Sequence, residues 1–243
     1  MAHFYLSDTV TLAAVGDTVL LAGDEGRHAA LVARLRTGER TTIGDGAGRI
    51  AAAEAVAVSK DAVELRVVEL HEVPRPRPAV TLVQALAKGD RGELAIQAAT
   101  ELGVDGVAPW SAARSVTRWT GEKVPRGEAR WASIVREAGK QAMRPWQARV
   151  LPLHATADVA ALAADRLVVV LDPDADRRLT EAAPQDAADL VLVVGPEGGI
   201  APEELAAFAA AGAVSARLGS TVLRTSTAAP AALAALEVHL GRW

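Results

Sequence analysis

The chain has 243 residues, of which half are apolar and 23% are charged, so it can bury a sizeable core and is not a disordered polymer. It contains no cysteine, which excludes disulfides, thiolate zinc sites and cysteine nucleophiles, and no metal site is expected. Its apolar runs are too short to cross a bilayer and its first residues are unlike a secretion signal. These features favour a cytoplasmic protein without membrane contact.

The charges are unevenly distributed along the chain. The formal net charge is −4, yet residues 73–150 carry 13 basic and 7 acidic side chains, whereas both flanking segments are acidic. A local positive surface is sufficient for contacts with nucleic-acid phosphates, although a solvated arginine-rich face would give the same count.

Residues 1–72 are predicted to form a small β-rich domain. Apolar and charged residues alternate over 63–67, which is the pattern of a half-buried strand. The glycine-rich segment 44–48 lies between two strand-like stretches and predicts a hairpin turn. It lacks the Lys-Ser/Thr ending of a phosphate loop, which argues against nucleotide binding there. One helix is expected over 25–36, with Asp24 as its N-cap.

Residues 73–78 contain three alternating prolines and predict an extended linker. Over 79–243, candidate strands then alternate with candidate helices. This order indicates an α/β domain with a mainly parallel sheet. The expected strands cover 80–87, 104–109, 166–171, 190–194 and 214–217, and the expected helices begin near 90, 128, 202 and 227.

Two helices of this domain carry further signals. Asp90 and Glu93 have the spacing of a capping box. In the helix expected over 128–143, Arg136, Lys140 and Arg144 are four residues apart and therefore share a face. That face fits an RNA contact or an ordinary amphipathic surface helix.

Two segments follow directly on candidate strands. The glycine-rich turn 195–199 comes after the strand 190–194, and the segment 218–227 comes after the strand 214–217. Open α/β sheets bind ligands at the carboxyl ends of parallel strands, where glycine lets the backbone approach a ligand closely. Taken alone, the turn is equally compatible with a tight connection.

Together these two segments resemble the cofactor-binding pair of SPOUT methyltransferases, and in particular the bacterial 16S ribosomal RNA (uracil-N3)-methyltransferase family. Similar matches occur at Lys88-Gly89-Asp90-Arg91-Gly92-Glu93, at Glu137-Ala138-x-x-Gln141-x-x-Arg144 and at His28-x-x-x-Val32-x-Arg34. The resemblance covers nearly the whole chain. Ser226 departs from it, because many members carry glutamate at that position.

The resemblance implies a trefoil-knotted SPOUT domain over 79–243 and a PUA-like RNA-binding barrel over 1–72. It also implies S-adenosyl-L-methionine as cofactor, a homodimer, and 16S rRNA in the 30S ribosomal subunit as substrate. The acidic balance of residues 151–243 is compatible with a cationic sulfonium. The cofactor residues expected from the family motifs are Leu171, Gly195, Pro196, Gly199, Leu218, Gly219, Ser220, Val222 and Leu223.

For catalysis, uracil N3 must lose a proton, and a nearby guanidinium would stabilise the resulting anion. Arg144 is the first candidate and Arg224 the second. No general base is evident, since His28, His154 and His239 are expected to be structural or surface residues. The expected RNA-binding residues are Arg27, Arg34, Arg36, Arg136 and Lys140.

Two alternatives are compatible with the same motifs. The chain could be a SPOUT enzyme that modifies another RNA, at a tRNA base or a ribose 2′-hydroxyl. It could also be an rRNA-binding assembly factor without turnover. The completeness of both cofactor-binding motifs, 195–199 and 218–223, favours an active enzyme.

Overall fold

The structure is a computed structural model that describes residues 3–186 and 189–243. It divides into two compact units. The first contains the chain up to Arg75 together with Gly139–Gln147, and the second contains Pro76–Ala138 and Ala148–Trp243. The domain bounds predicted from the sequence place Gly139–Gln147 in the second domain, whereas the structure places this segment in the first unit.

The first unit is built on a five-stranded sheet of order β1-β3-β4-β5-β2. β1 and β3 are parallel and the other neighbours are antiparallel. The prediction of a β-rich domain is confirmed, as is the hairpin turn at 44–48. The strands are β1 Phe4–Leu6, β2 Thr18–Leu21, β3 Arg40–Gly44, β4 Arg49–Val58 and β5 Val63–Glu72.

The helix of this unit differs from its prediction. α1 covers Gly23–Arg27 and continues into a π-helical turn, His28–Val32, so the helical segment begins earlier and ends sooner than expected. Asp24 is not its N-cap, because the helix begins at Gly23 and Asp24 lies within its first turn. The Asp24 carboxylate pairs with the Arg27 guanidinium one turn on. The segment ends before Arg34, whose φ of 55° lies in the left-handed region that a helix cannot continue through.

The second unit is an α/β structure around six parallel strands of order β11-β9-β10-β6-β7-β8. The predicted alternation of strands and helices is confirmed. The strands are β6 Val80–Ala85, β7 Gly106–Trp110, β8 Arg149–Val150, β9 Leu167–Leu171, β10 Leu190–Val194 and β11 Val214–Ala216. The helices are α2 Arg91–Glu101, α3 Lys123–Gln141, α4 Thr156–Ala161, α5 Leu179–Ala182, α6 Pro202–Ala210 and α7 Thr225–His239.

Alternate residues of β10 point into two separate apolar clusters. Leu190, Leu192 and Val194 pack with α2, α3, α5 and α7, whereas Val191 and Val193 pack with α4 and α6. Because helices cover both faces, the central strands β9 and β10 are apolar throughout. Among the described residues, no helix has the length and apolarity that crossing a membrane requires.

The start of α2 departs from the capping-box prediction. Asp90 is the N-cap residue but its side chain makes no capping hydrogen bond. The Glu93 carboxylate instead accepts from the Arg130 guanidinium on α3, at 2.8 Å. A charge-assisted bond to a neighbouring helix has therefore replaced the local one, which short-range spacing could not reveal.

The end of α3 corrects the prediction for Lys140. α3 stops at Gln141, and the Lys140 ammonium lies 2.9 Å from a carboxylate oxygen of Glu25, with both side chains only 11% exposed. Burial and the charge of Glu25 together raise the pKa of the neighbouring Tyr5 to about 12. Lys140 is thus part of a buried ion pair and not of an exposed basic face.

The segment that follows α3 is bound to the β3–β4 turn. The Trp146 indole N–H donates to the Val73 carbonyl at 2.8 Å, and Gly48 N–H donates to the Pro145 carbonyl at 3.0 Å. Gly48 has a φ of 107°, and a Cβ there would lie 2.6 Å from the Trp146 ring. The glycines of the turn therefore leave room for this indole as well as for the reversal of the chain.

These contacts predict that Lys140→Met destabilises the protein. The substitution leaves Glu25 buried without its ammonium partner, so we expect the free energy of unfolding to fall by about 3 kcal/mol. Urea denaturation would measure it, with Lys123→Met, an exposed position on the same helix, as the matched control. A loss in Lys140→Met no larger than in the control would contradict the structural role of the pair.

Candidate functional site

A cavity of about 730 Å³ lies at the carboxyl ends of β9, β10 and β11. Since all strands of this sheet are parallel, the loops that follow them leave from the same edge. Residues after β9 form one wall, those after β10 a second and those after β11 a third, while Arg91 and Arg114 come from the connections after β6 and β7. This is the ligand position that the sequence analysis anticipated.

The cavity brings together eight of the nine residues expected from the family motifs. Ser220 lies on the same loop as its neighbours but does not line the cavity. The two segments recognised in the sequence therefore meet in space. The lining residues from that set are Leu171, Gly195, Pro196, Gly199, Leu218, Gly219, Val222 and Leu223.

The loop 195–199 is held in place by Glu197. Its carboxylate accepts from the Lys88 backbone N–H at 3.0 Å and from the Arg91 guanidinium at 2.9 Å. Burial acts to raise the pKa of Glu197, but these hydrogen bonds, one from its own backbone N–H and the charge of Arg91 outweigh burial and lower it. Glu197 is therefore an ionised anchor between this loop and the start of α2.

The glycines of this loop serve close packing. The Arg114 guanidinium donates to the Gly198 carbonyl at 3.1 Å. A Cβ on Gly195 would lie 2.7 Å from the Ile200 side chain, and Gly199 has a φ of 72°. A larger residue at Gly195 would thus displace the loop itself, and Gly199 adopts a conformation that other residues rarely take.

The third wall exposes apolar side chains to solvent. Val222 and Leu223 line the cavity with 79% and 38% of their surface exposed. Gly219, three residues after β11 ends, has no atom within 4 Å of where a Cβ would stand. A side chain introduced at position 219 would therefore enter open space at the cavity, whereas one introduced at Gly195 would meet Ile200.

Two acidic residues after β9, Asp172 and Asp174, were not predicted from the sequence to belong to the site. Asp172 and Asp174 line the cavity, and the Asp172 carboxylate accepts from the Asp174 backbone N–H at 3.0 Å. Their signal was present, because two carboxylates directly follow a continuous aliphatic strand that ends at the ligand-binding edge. They give this wall a negative character.

The arginines of the cavity differ in what they already bind. Arg91 bonds to Glu197, Arg114 to the Gly198 carbonyl, and Arg217 to the Ala175 and Asp176 carbonyls. Within the described part of the chain, the exposed Arg224 guanidinium has no hydrogen bond or ion pair to another residue. Arg224 is therefore the cavity arginine most available to an incoming ligand.

The other predicted residues are not among those that line this cavity. Arg144 belongs to the first unit, where Arg27, Arg34 and Arg36 are also found, all three exposed. Arg136 is exposed on α3. None of the histidines lines the cavity. The described residues contain no group of three or more His, Cys, Asp or Glu side chains arranged to hold a metal ion.

Comparisons with known proteins cover both units. A model of the RNA methyltransferase domain matches residues 74–237, and a model of the RNA methyltransferase PUA domain matches residues 21–68. The ribosomal RNA small subunit methyltransferase E of Mycobacterium tuberculosis is 46% identical over 96% of this chain and 91% of its own length. The Bacillus subtilis protein of the same name is 30% identical over 98% and 96%.

A solved structure shows the same overall likeness. It is the ribosomal RNA small subunit methyltransferase E of Neisseria gonorrhoeae bound to S-adenosyl methionine. The TM-score is 0.87 at 28% identity, and the match covers 98% of this chain and 97% of the other. The likeness thus extends over both compact units.

The anchoring of the loop 195–199 predicts a pH-dependent effect of Glu197→Gln. Because the folded-state pKa is lowered, the carboxylate stabilises the fold above its unfolded pKa of about 4.3 and loses this effect as the pH falls through the folded value. We expect Glu197→Gln to lower the free energy of unfolding by about 1 kcal/mol at neutral pH. Urea denaturation should show the difference from wild type shrinking as the pH is lowered below the unfolded pKa and through the lower folded-state pKa.

The exposed Glu122→Gln serves as the control for this measurement. It should match wild type throughout this pH range, because the Glu122 side chain is exposed to solvent. An effect of Glu197→Gln that persisted unchanged at low pH would show that the ionised carboxylate is not the anchor.

Proposed function

Because the chain belongs to the bacterial small-subunit ribosomal RNA methyltransferase family of the SPOUT superfamily, we propose that it methylates N3 of a specific uridine in 16S rRNA. The proposed cofactor is S-adenosyl-L-methionine and the proposed substrate is the 30S subunit. The observation that carries the proposal is the meeting of the two family motifs, 195–199 and 218–227, in one cavity.

The cavity suits this cofactor in size and chemistry. Its volume of about 730 Å³ lies within the range of about 300–1,000 Å³ that is typical of small-molecule sites. Asp172 and Asp174 can attract the cationic amino and sulfonium groups, and the apolar Leu218 and Val222 can cover the adenine. When bound, S-adenosyl-L-methionine supplies the electrophilic methyl group.

The chain's own contribution to the reaction would be positioning and charge. Uracil N3 becomes nucleophilic when its proton leaves, and the imide then carries negative charge. Arg224 lines the cavity with a guanidinium that is not committed to another described residue, so it can stabilise that charge. We therefore place Arg224 ahead of Arg144 as the catalytic arginine.

Arg144 remains a candidate of a different kind. It follows α3 in the segment that is fixed to the first unit by Trp146 and by the Lys140–Glu25 pair. Such anchoring would hold its guanidinium firmly for an RNA phosphate or for the target base. Arg144 can thus contribute from the RNA-binding unit.

The RNA is proposed to bind through exposed arginines of the first unit, namely Arg27, Arg34 and Arg36, and through Arg136 on α3. Lys140 is left out because its ammonium is buried against Glu25.

The family relationship further supports a trefoil-knotted second unit and action in the cytoplasm. It also supports a homodimer, which would cover the exposed Val222.

The decisive experiment is methyl transfer to ribosomal subunits. Purified protein, tritiated S-adenosyl-L-methionine and 30S subunits that lack the modification should give labelled rRNA, and nucleoside analysis should identify 3-methyluridine. Transfer to tRNA, or label on a ribose 2′-oxygen, would replace the proposed substrate. Absence of transfer from a protein that binds rRNA would favour an assembly factor.

The cavity predicts a selective loss of cofactor binding in Gly219→Val. A Cβ at Gly219 meets no atom of the chain, so the protein should fold normally, while the added bulk enters space that the cofactor would use. We expect the cofactor Kd to rise at least about tenfold with an unchanged melting temperature. Calorimetry would measure it, with the exposed Ala207→Val as control, and equal affinity in both variants would place the cofactor elsewhere.

The variants Arg224→Lys and Arg144→Lys distinguish the roles of the two arginines. Lysine retains the charge but loses the planar fork of donors. If Arg224 stabilises the imide anion, its substitution should lower the single-turnover rate at saturating RNA by about 10²-fold, and higher pH should partly restore that rate. Arg144→Lys should mainly weaken RNA affinity. A wild-type rate in Arg224→Lys would reject its catalytic role.

A further inference from the structure

A buried amide stands in the middle of the parallel sheet. Gln84 lies on β6, opposite Val194 of β10 and Pro109 of β7, and is fully buried. Its neighbours along the strand, Val83 and Ala85, are apolar and buried as well. Burying an amide is costly unless it forms hydrogen bonds, so its contacts indicate why it is there.

Gln84 and Thr225 form a hydrogen-bond relay that reaches the cavity. The Gln84 amide nitrogen donates to the Thr225 hydroxyl at 2.8 Å, and this hydroxyl donates to the Gly195 carbonyl at 2.8 Å. A carbonyl can only accept, so the single hydroxyl proton must point to Gly195 and the hydroxyl must accept from Gln84. The direction of the whole relay is therefore fixed.

The relay joins the two motifs that line the cavity. Thr225 is the first residue of α7 and comes directly after the residues of the third wall, the one that follows β11. Gly195 begins the loop 195–199. The other end of that loop is held by Glu197 and by the bond from Arg114 to Gly198. The Thr225 hydroxyl is thus the contact that fixes the beginning of the loop.

The amide also bears a cost that packing alone does not explain. Among the described residues, the Gln84 side-chain oxygen is buried and has no hydrogen-bond partner. A leucine or methionine would fill the same space without that unsatisfied acceptor. The amide nitrogen donates to the Ala85 carbonyl at 3.2 Å as well as to the Thr225 hydroxyl, and only the second of these bonds reaches the cavity.

We propose that Gln84 and Thr225 are positioning residues for cofactor binding, which act by fixing the Gly195 carbonyl and thereby the shape of the loop 195–199. This inference rests on the proposed function. Neither residue needs to touch the reacting atoms. Their effect should therefore appear in the affinity and the KM for the cofactor and not in the turnover rate at saturating cofactor.

Thr225→Val removes the hydroxyl at nearly constant shape and Thr225→Ser retains it. We expect the Kd for S-adenosyl-L-methionine to rise about tenfold in Thr225→Val and to stay within about twofold of wild type in Thr225→Ser. Gln84→Met should raise the Kd as well, and the double variant should be no weaker than Thr225→Val alone, because both act through one relay.

The matched control is Thr100→Val. Thr100 is a fully buried threonine of α2 whose hydroxyl donates to the Ile96 carbonyl at 2.7 Å, and it does not line the cavity. It should alter the melting temperature without altering the Kd. If Thr225→Val changed only the melting temperature, as this control does, the relay would be merely structural and the inference would be overturned.

The wild-type protein separates this inference from the proposed function. If wild type fails to bind S-adenosyl-L-methionine in calorimetry, the proposed function fails and the inference fails with it. If wild type binds and Thr225→Val binds equally well, only the inference is overturned. A rise in Kd that serine restores supports it, and that rescue is not expected from a general loss of packing.

Discussion

The parallel direction of all six strands in the second unit is the constraint on which the site depends. Parallel strands send every following loop to the same edge, so residues that are far apart in sequence converge there. Leu171 ends β9, whereas Gly195 and Leu218 follow β10 and β11, and the three meet around one cavity for this reason. An antiparallel neighbour among these strands would have sent its loop to the opposite edge.

The cavity is shaped by a glycine-rich loop that is closely held. Gly195 is bonded to Thr225, Glu197 to Lys88 and Arg91, and Gly198 to Arg114. Glycine is needed here for close approach, and the hydrogen bonds limit the freedom that glycine would otherwise allow. The loop is thus preorganised, which reduces the entropy that ligand binding must overcome.

The first unit also includes a segment that follows α3. The residues after α3, including Arg144, are fixed to it by the Trp146 indole and by the buried Lys140–Glu25 pair. Of the three cations predicted to share one basic face, Lys140 serves internal structure while Arg136 is exposed. Helical spacing identifies residues on the same side of a helix, but it does not reveal what that side contacts.

The sequence by itself determined the alternation of strands and helices and the β-rich first domain, because these follow from local periodicity. It also contained the two motifs of the cavity, which were identified by their resemblance to the family. Only the tertiary structure decided which side chains are committed to other residues. In the folded chain, Glu93 bonds to Arg130 and Lys140 is buried against Glu25. At the cavity, Arg91 bonds to Glu197, whereas Arg224 is available to a ligand. Such pairings depend on distances between residues remote in sequence, which only the folded chain defines.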